Sequence, residues 1–237
     1  MPKLTTKYRT EEEEIMDDFS LEGEELRDAL DKIASINQFL GGNQLTLQGV
    51  KELIQTKETI TIVDVGCGNG DMLRALANYG NKNNLTFNLI GIDANAFTID
   101  YANKLSKEYP NISYKCLDIF SEAFTQLSFD ILLCTLTLHH FKNNQIDYLI
   151  QLFSKQAKTG IVINDLHRNI IAYRSFQFIC FIFRLNKMSK KDGLVSILRG
   201  FKKQELIDFS ERNELEHYTI NWKWAFRYQW IIKTQNN

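Results

Sequence analysis

The run Ile62 to Leu73, IVDVGCGNGDML, places Gly66, Gly68 and Gly70 between a β-branched stretch and an apolar helical one. Glycines at a strand-to-helix turn let a ligand approach the backbone at the start of a helix. Gly66 and Gly68 could open a dinucleotide fingerprint, but the third glycine position is Asp71, and Asp64 stands just upstream. Two carboxylates oppose a pyrophosphate and suit a cation that also carries hydroxyls. A second group of reactive side chains lies downstream: His139 and His140, then Asp165, His167 and Arg168 in INDLHRN. Histidine titrates near neutral pH and could deprotonate or orient a hydroxyl, so His139, His140 and His167 are the candidate catalytic residues. The alternative for LHHF is a rim element that packs against ligand and helix. Two histidines and an Asp-x-His could also ligate a divalent ion, but neither pair has the spacing of a helical zinc motif. The expectation is no metal.

These residues need a scaffold that brings them to one crevice. From Thr59 onward, short apolar runs alternate with amphipathic ones. Strands are expected at TITIVDV, FNLIGID, ISYKC, FDILLCT and GIVIND, with helices near Asp71 to Tyr79, Thr98 to Tyr109 and Gln145 to Gln156. Such alternation predicts an α/β fold with a doubly wound, Rossmann-like parallel sheet. After a helix near Lys203 to Arg212, LEHYTINWKW and FRYQWIIKT are too close for a crossover helix. They are expected to pair as an antiparallel hairpin at the sheet edge, completing seven strands. In such a sheet ligands sit beyond the carboxyl ends of the strands, so the glycine loop and both histidine groups should face the same mouth.

Residues 1–57 read as an N-terminal helical cap, and 58–237 as the catalytic domain with a helical insertion at about 168–200. Leu26, Leu30, Ile33 and Leu40 recur at helical spacing until Gly41 and Gly42, and Leu47, Val50, Leu53 and Ile54 suggest a second short helix. The acidic run Glu11 to Glu14 with Asp17 and Asp18 reads as a solvated helix start. An oily, aromatic helix is expected over Ile170 to Leu185, IIAYRSFQFICFIFRL. It is too short to span a bilayer and is interrupted by Arg174 and Gln177, which leaves core packing, a lid or a peripheral membrane contact as its readings.

With 237 residues and 44% hydrophobic content, the chain can bury a sizeable core. A net charge of −1 without a basic run excludes the electrostatic footprint of a nucleic-acid binder. Cys67, Cys116, Cys134 and Cys180 are scattered without CxxC spacing, and the first residues contain no apolar secretory core. Reduced thiols in a cytoplasmic protein are the expectation.

From about Thr59 to the C-terminus the sequence resembles the class I S-adenosylmethionine-dependent methyltransferases. VDVGCGNG matches their first motif, GIDAN the second, CLDIF the third and FDILLCTLTLHHF the fourth, in the right order on the right elements. The resemblance implies S-adenosylmethionine as cofactor, a ligand with a sulfonium, an ammonium and a ribose diol but no phosphate. It assigns Asp64, Gly66, Cys67, Gly68 and Gly70 to the cofactor loop and Asp93, next to Ala94, to the ribose hydroxyls. Asp118 falls near the adenine amine, Ile119 against its ring, and Thr135 in the fourth motif. Beyond the general family, EEIMDD, INQFLGG, INDLHRN, LVSILRGFKKQEL and WKWAFRYQW are similar to a bacterial subgroup of quinone-methylase-like enzymes associated with polyketide or aryl-lipid biosynthesis. In that reading Arg199 and Arg227 are candidates near the acceptor, against a structural role for both. The implied function is transfer of a methyl group to a small apolar aromatic or quinol-like acceptor, with O-methylation favoured over C-methylation. The alternatives are a nucleic-acid or protein methyltransferase, a non-catalytic S-adenosylmethionine-binding module, and a nicotinamide-dependent reductase, which Asp71 disfavours. CTLT after the fourth strand lacks the Asn/Asp-Pro-Pro-Tyr type motif of many amino-methylating relatives.

Overall fold

The computed structural model describes residues 5–54 and 59–234. The expected boundary between residues 57 and 58 lies outside them. Seven strands form one sheet: β1 (Ile60–Val65), β2 (Phe87–Asp93), β3 (Ile112–Cys116), β4 (Phe129–Thr135), β5 (Ala157–Leu166), β6 (Tyr218–Lys223) and β7 (Arg227–Lys233). Their order is β3-β2-β1-β4-β5-β7-β6. The first five are parallel, whereas β7 runs antiparallel to both β5 and β6. The expected α/β sheet and its terminal hairpin are both present.

Strand periodicity explains how the sheet is covered. Along β1, Ile62 faces one core with Ile131 and Leu133 of β4, while Val63 and Val65 face the other with Leu132 and Cys134. Apolar side chains on both faces of these central strands require cover on both sides. On one face pack α2 (Gly42–Leu53), α3 (Asp71–Asn83) and α4 (Ala96–Leu105). On the other pack α5 (Glu122–Thr125), α6 (Asn143–Gln156) and α9 (Lys203–Arg212). Each fully buried Leu or Ile here contributes about 1.5–3 kcal/mol relative to exposure.

The N-terminal helices are α1 (Glu24–Phe39) and α2, close to the expected positions. α2 buries Leu47, Val50 and Leu53 against β-sheet residues such as Ile62 and Val162. α1 packs Leu26, Ala29 and Leu30 against Met188 of α8 (Lys187–Arg199). The oily stretch after β5 forms α7 over Ile170–Ile182, shorter than expected, because the chain turns at Arg184 with φ of 49° before α8 begins. No helix among the described residues is long and apolar enough to cross a membrane. The four cysteines are free, and all but Cys116 are buried.

Strand order reverses between β1 and β4. The crevice beyond their carboxyl ends is therefore the position at which such sheets bind ligands.

Candidate active site

A cavity of about 1620 Å³ opens at that point. It is lined by Asp64, Gly66, Cys67 and Gly68 of the glycine loop, Asp93 and Ala94 after β2, Asp118 and Ile119 after β3, Thr135 at the end of β4, and all three candidate histidines. Gly70 does not line it. With φ of 79°, Gly70 instead caps α3, and a Cβ there would lie 1.9 Å from the Tyr114 hydroxyl. Gly66 has φ of 68°, and its missing Cβ would sit 2.4 Å from Thr137 Oγ1. Gly66→Ala is accordingly expected to cost roughly 1–3 kcal/mol of stability through left-handed strain and overlap, readable by urea denaturation. A variant as stable as the parent would contradict the tight turn.

The loop's backbone donors are engaged within the protein. Gly66 N–H and Cys67 N–H both donate to Ile92 O at 2.8 and 3.0 Å, and Gly70 N–H donates to Cys67 O at 2.9 Å. Gly68 N–H reaches Asp93 Oδ2 at 3.3 Å, and Asp71 N–H reaches Asn69 Oδ1 at 3.1 Å. Little remains to cradle a phosphate, and the surrounding charge opposes one. Asp64 is buried, and its Oδ1 has no hydrogen-bond partner. Burial, with Asp71 and Asp93 nearby, holds its carboxyl well above the ordinary range. A buried carboxylate oxygen without a donor fits a cationic N–H donor such as an ammonium. Asp93 is likewise raised, chiefly by burial, although Asn95 N–H and Gly68 N–H donate to it. Its two oxygens have free lone pairs for a diol. Asp118 accepts from Phe120 N–H at 2.9 Å, and Thr135 Oγ1 lies 3.1 Å from Thr46 Oγ1 of α2. These residues fit a phosphate-free nucleoside with an ammonium.

The N-terminal helices reach over this loop. Asn43 Nδ2 donates to Asp71 Oδ2 at 2.7 Å, and Asn69 Nδ2 donates to Asp31 Oδ1 at 3.1 Å. Asn95 Nδ2 holds the carbonyls of Phe19 and Leu21 at 3.1 and 2.7 Å.

The acidic run departs from the sequence expectation. Glu11, Glu12 and Glu13 are exposed, but Glu14 is buried and Asp17 half-buried. Glu14 precedes a short 3-10 turn, Ile15–Asp17, that turns both carboxylates inward. Asp192 of α8 anchors the turn by accepting from Ile15 N–H and Met16 N–H at 2.8 and 2.9 Å. Upstream, the Arg9 guanidinium donates to the carbonyls of Arg199, His139 and Phe141 at 2.7, 2.8 and 2.9 Å. Residues 9–17 form a strap along the cavity wall.

The three histidines differ sharply. His139 is 2% exposed, with Nδ1 2.7 Å from Asp165 Oδ1 and Nε2 3.5 Å from Glu14 Oε1. Burial alone would lower its pKa, but the charges of Asp165 and Glu14, with the Asp165 hydrogen bond, more than reverse this and raise it to about 9. His140 is partly exposed, with Nδ1 2.6 Å from Asp17 Oδ1. Arg199, buried rather than superficial, donates to Asp17 Oδ2 at 2.5 Å and to the His140 carbonyl. His167 lies apart at the hairpin: Trp222 Nε1–H donates to its Nδ1 at 3.2 Å, so the neutral ring carries its proton on Nε2. Burial, with Lys202 and Arg168 nearby, pushes its pKa down. Arg168 does not face the mouth as expected. It is fully buried behind the cavity, pairs with Glu205 at 2.6 Å and donates to the carbonyls of Thr6, Lys7 and Gly200. The potential ligand atoms of Glu14, His139 and His140 lie within 4.8 Å of one another. Arg199 Nη1, 3.7 Å from Glu14 Oε1, places a positive charge beside that group. Sequence reasoning missed Glu14 and Asp17, because Glu11 and Glu14 stand at the same three-residue spacing as Glu14 and Asp17 and Glu11 is solvated.

The sheet order, the acidic glycine loop after β1 and the aspartate closing β2 together define a class I S-adenosylmethionine-dependent methyltransferase domain. Residues 62–160 match the family model described as a methyltransferase domain, and the chain carries such a domain. The ubiquinone biosynthesis O-methyltransferase of Coxiella burnetii (strain Dugway 5J108-111) is 30% identical over 134 residues, covering 55% of this chain and 53% of that relative. The chain thus spans about half the length of the curated relatives it matches. Among solved structures, the plantazolicin methyltransferase BpumL in complex with SAH aligns with a TM-score of 0.58 at 20% identity, covering 87% of this chain and 85% of that one. Magnesium protoporphyrin IX methyltransferase (ChlM) from Synechocystis PCC 6803 with bound SAM aligns with a TM-score of 0.55 at 14% identity, covering 85% and 84%. At these identities the shared property is the fold.

Proposed function

We propose that this chain transfers a methyl group from S-adenosylmethionine to the hydroxyl of a small aromatic or quinol-like acceptor. The observation that carries the reading is the glycine loop: its N–H groups are taken up internally, and Asp64, with an oxygen lacking any donor, faces a cavity that also contains Asp93 and the histidines. When bound, S-adenosylmethionine supplies a methyl group on a sulfonium, a leaving group that needs no further activation. Asp64 binds the ammonium, Asp93 accepts from the ribose hydroxyls, and Asp118 and Ile119 hold the adenine.

The remaining task for this chain is to orient the acceptor, exclude water and take its proton. His140 is the best-suited base. Asp17 holds its Nδ1, which leaves Nε2 as the nitrogen free to meet the acceptor, and its ring is the more exposed of the adjacent pair. His139, enclosed by Asp165 and Glu14, is a positioning residue that fixes the turn after β4. The acceptor end is lined by Phe176 and Ile179 of α7 with Trp224 and Phe226 of the hairpin, surfaces that favour an aromatic ring. This supports the acceptor-shaping role of the insertion at about 168–200. The ubiquinone O-methyltransferase relative agrees with O-methylation of a quinol precursor. The outer face of α7 exposes Phe178 and Phe181, the latter 81% exposed, which suits peripheral contact with a membrane that holds an apolar acceptor.

Calorimetry tests the donor. S-adenosylmethionine and S-adenosylhomocysteine are expected to bind and NAD not; NAD binding without either would overturn the reading. Methyl transfer that survives a chelator is also expected, and its loss would favour a metal at Glu14, His139 and His140 instead.

A further inference from the structure

We propose that Arg227 forms a carboxylate subsite on the acceptor side of the cavity, so that the acceptor is an aromatic acid held through its carboxylate. This rests on the methyl-transfer reading above and deepens it. Arg227 opens β7, lines the cavity and is 3% exposed. The other deeply buried arginines are compensated: Arg168 by Glu205, Arg199 by Asp17 and Glu14. Arg227 has no ion pair among the described residues. Its Nη1 lies 3.5 Å from Asn164 Oδ1, and its Nε is buried with no partner. Asp165, whose charge reaches it, is already committed to the His139 ring and to the N–H groups of His139 and Leu166.

A desolvated guanidinium without a counter-ion is costly, because neutral amides do not cancel its charge. The neutral polar groups nearest to it are amides. Asn164 is one; Asn37 is the other, with its Oδ1 also buried and unpartnered. Gly42, at the start of α2, makes room between Asn37 and the arginine. A Cβ there would lie 1.8 Å from Asn37 Oδ1 and 3.2 Å from Arg227 Cζ. Asn37 and Arg227 both line the cavity. A planar guanidinium with free N–H donors in a low-dielectric wall matches a carboxylate in charge and geometry.

The donor has a carboxylate of its own, and α2 touches both regions, with Gly42 beside Arg227 and Asn43 on Asp71, but along the sheet the strand that carries Arg227 stands apart from the donor loop. Its register partner is Leu166, at the end of β5. From β1, whose end carries the glycine loop, β7 is reached across β4 and β5, about 14 Å at ordinary strand spacing. The neighbours there are aromatic: Trp224 and Phe226 precede Arg227 on the same turn.

The test uses the full chain with 4-fluorobenzoate and its neutral counterpart 4-fluorobenzamide, followed by fluorine NMR with S-adenosylhomocysteine present. Wild type is expected to prefer the acid by about tenfold. Arg227→Gln is expected to lose that preference and Arg227→Lys to keep part of it, with affinity for S-adenosylhomocysteine unchanged. Equal binding of acid and amide by wild type overturns the subsite, as does a preference that survives in Arg227→Gln. If Arg227→Gln instead weakens S-adenosylhomocysteine but not 5′-methylthioadenosine, which lacks the carboxylate, the guanidinium serves the donor and the acceptor assignment is wrong. Should Arg227→Gln fail to fold by circular dichroism, the wild-type probe pair and Arg227→Lys still decide. Failure of wild type to bind S-adenosylhomocysteine would refute the methyl-transfer reading separately, since the acid and amide can also be compared without it.

Discussion

His139→Ala is expected to destabilise the protein by about 3–5 kcal/mol, the range for breaking a buried charged pair from one side. The substitution leaves Asp165 and Glu14 facing each other without the ring between them. The pH dependence gives a sharper signature. The pKa of His139 in the folded protein is raised to about 9, above the ordinary value of about 6.5 in an unfolded chain. The folded state therefore binds the proton more tightly. The resulting stabilisation, on the order of 3 kcal/mol, is complete below about pH 6.5 and is lost as pH rises through about 9. Glu14, Asp17 and Asp165 are opposite in sign. Burial raises each, but the adjoining histidines and, at Asp17, Arg199 lower them below the usual carboxylate range. Their contribution is present at neutral pH and lost on acidification. Urea denaturation between pH 5 and 10 should show both limbs in the wild type, with the alkaline limb removed in His139→Ala. The costs of His139→Ala and Glu14→Gln should also combine less than additively, since the two side chains share one network. An alkaline limb that persists in His139→Ala would show that the ring is not the titrating group.

Asp93→Ala is expected to weaken S-adenosylmethionine binding by about 1–3 kcal/mol, the cost of lost charge-assisted hydrogen bonds, or roughly 5- to 150-fold. Stability without ligand should move the other way or not at all. Burial already raises the Asp93 carboxyl, so its ionised form is unfavourable in the free protein. Removing it leaves only the N–H groups of Gly68 and Asn95 without that acceptor. The same raised pKa predicts that donor affinity falls as pH drops through it, because a protonated carboxyl accepts less well from two hydroxyls. Calorimetry paired with thermal denaturation separates the effects. Unchanged affinity would remove Asp93 from the ribose site, whereas a parallel loss of stability would indicate general disruption.

The sheet was legible because its signals are local. TITIVDV, FNLIGID and FDILLCT are apolar on both faces, and only a covered parallel sheet accommodates them. The hairpin followed from the short span between its strands. The donor loop was equally legible: Asp64, Gly66, Gly68 and Asp71 lie within eight residues, and Asp93 closes the next strand. Glu14 gave no such signal. It stands fourth in a run of four glutamates, three of them solvated, and its contacts with Ser196, His139 and Arg199 distinguish it. Arg168 was misread for the same reason. Its neighbour His167 does line the cavity, but its own partner is Glu205 on α9.

By itself the sequence determined the sheet, its antiparallel ending and an acidic, phosphate-averse glycine loop, because hydrophobic period and turn chemistry act between residues a few positions apart. Tertiary structure decided which histidine is enclosed and which remains accessible, which two of the N-terminal carboxylates turn inward, and which buried arginine lacks a counter-ion. Those outcomes depend on charge pairing across long separations, 123 residues between Asp17 and His140 and 182 between Asp17 and Arg199. Whether a charge is paired there depends on what packing brings within a few ångströms of it, and sequence spacing does not encode that distance.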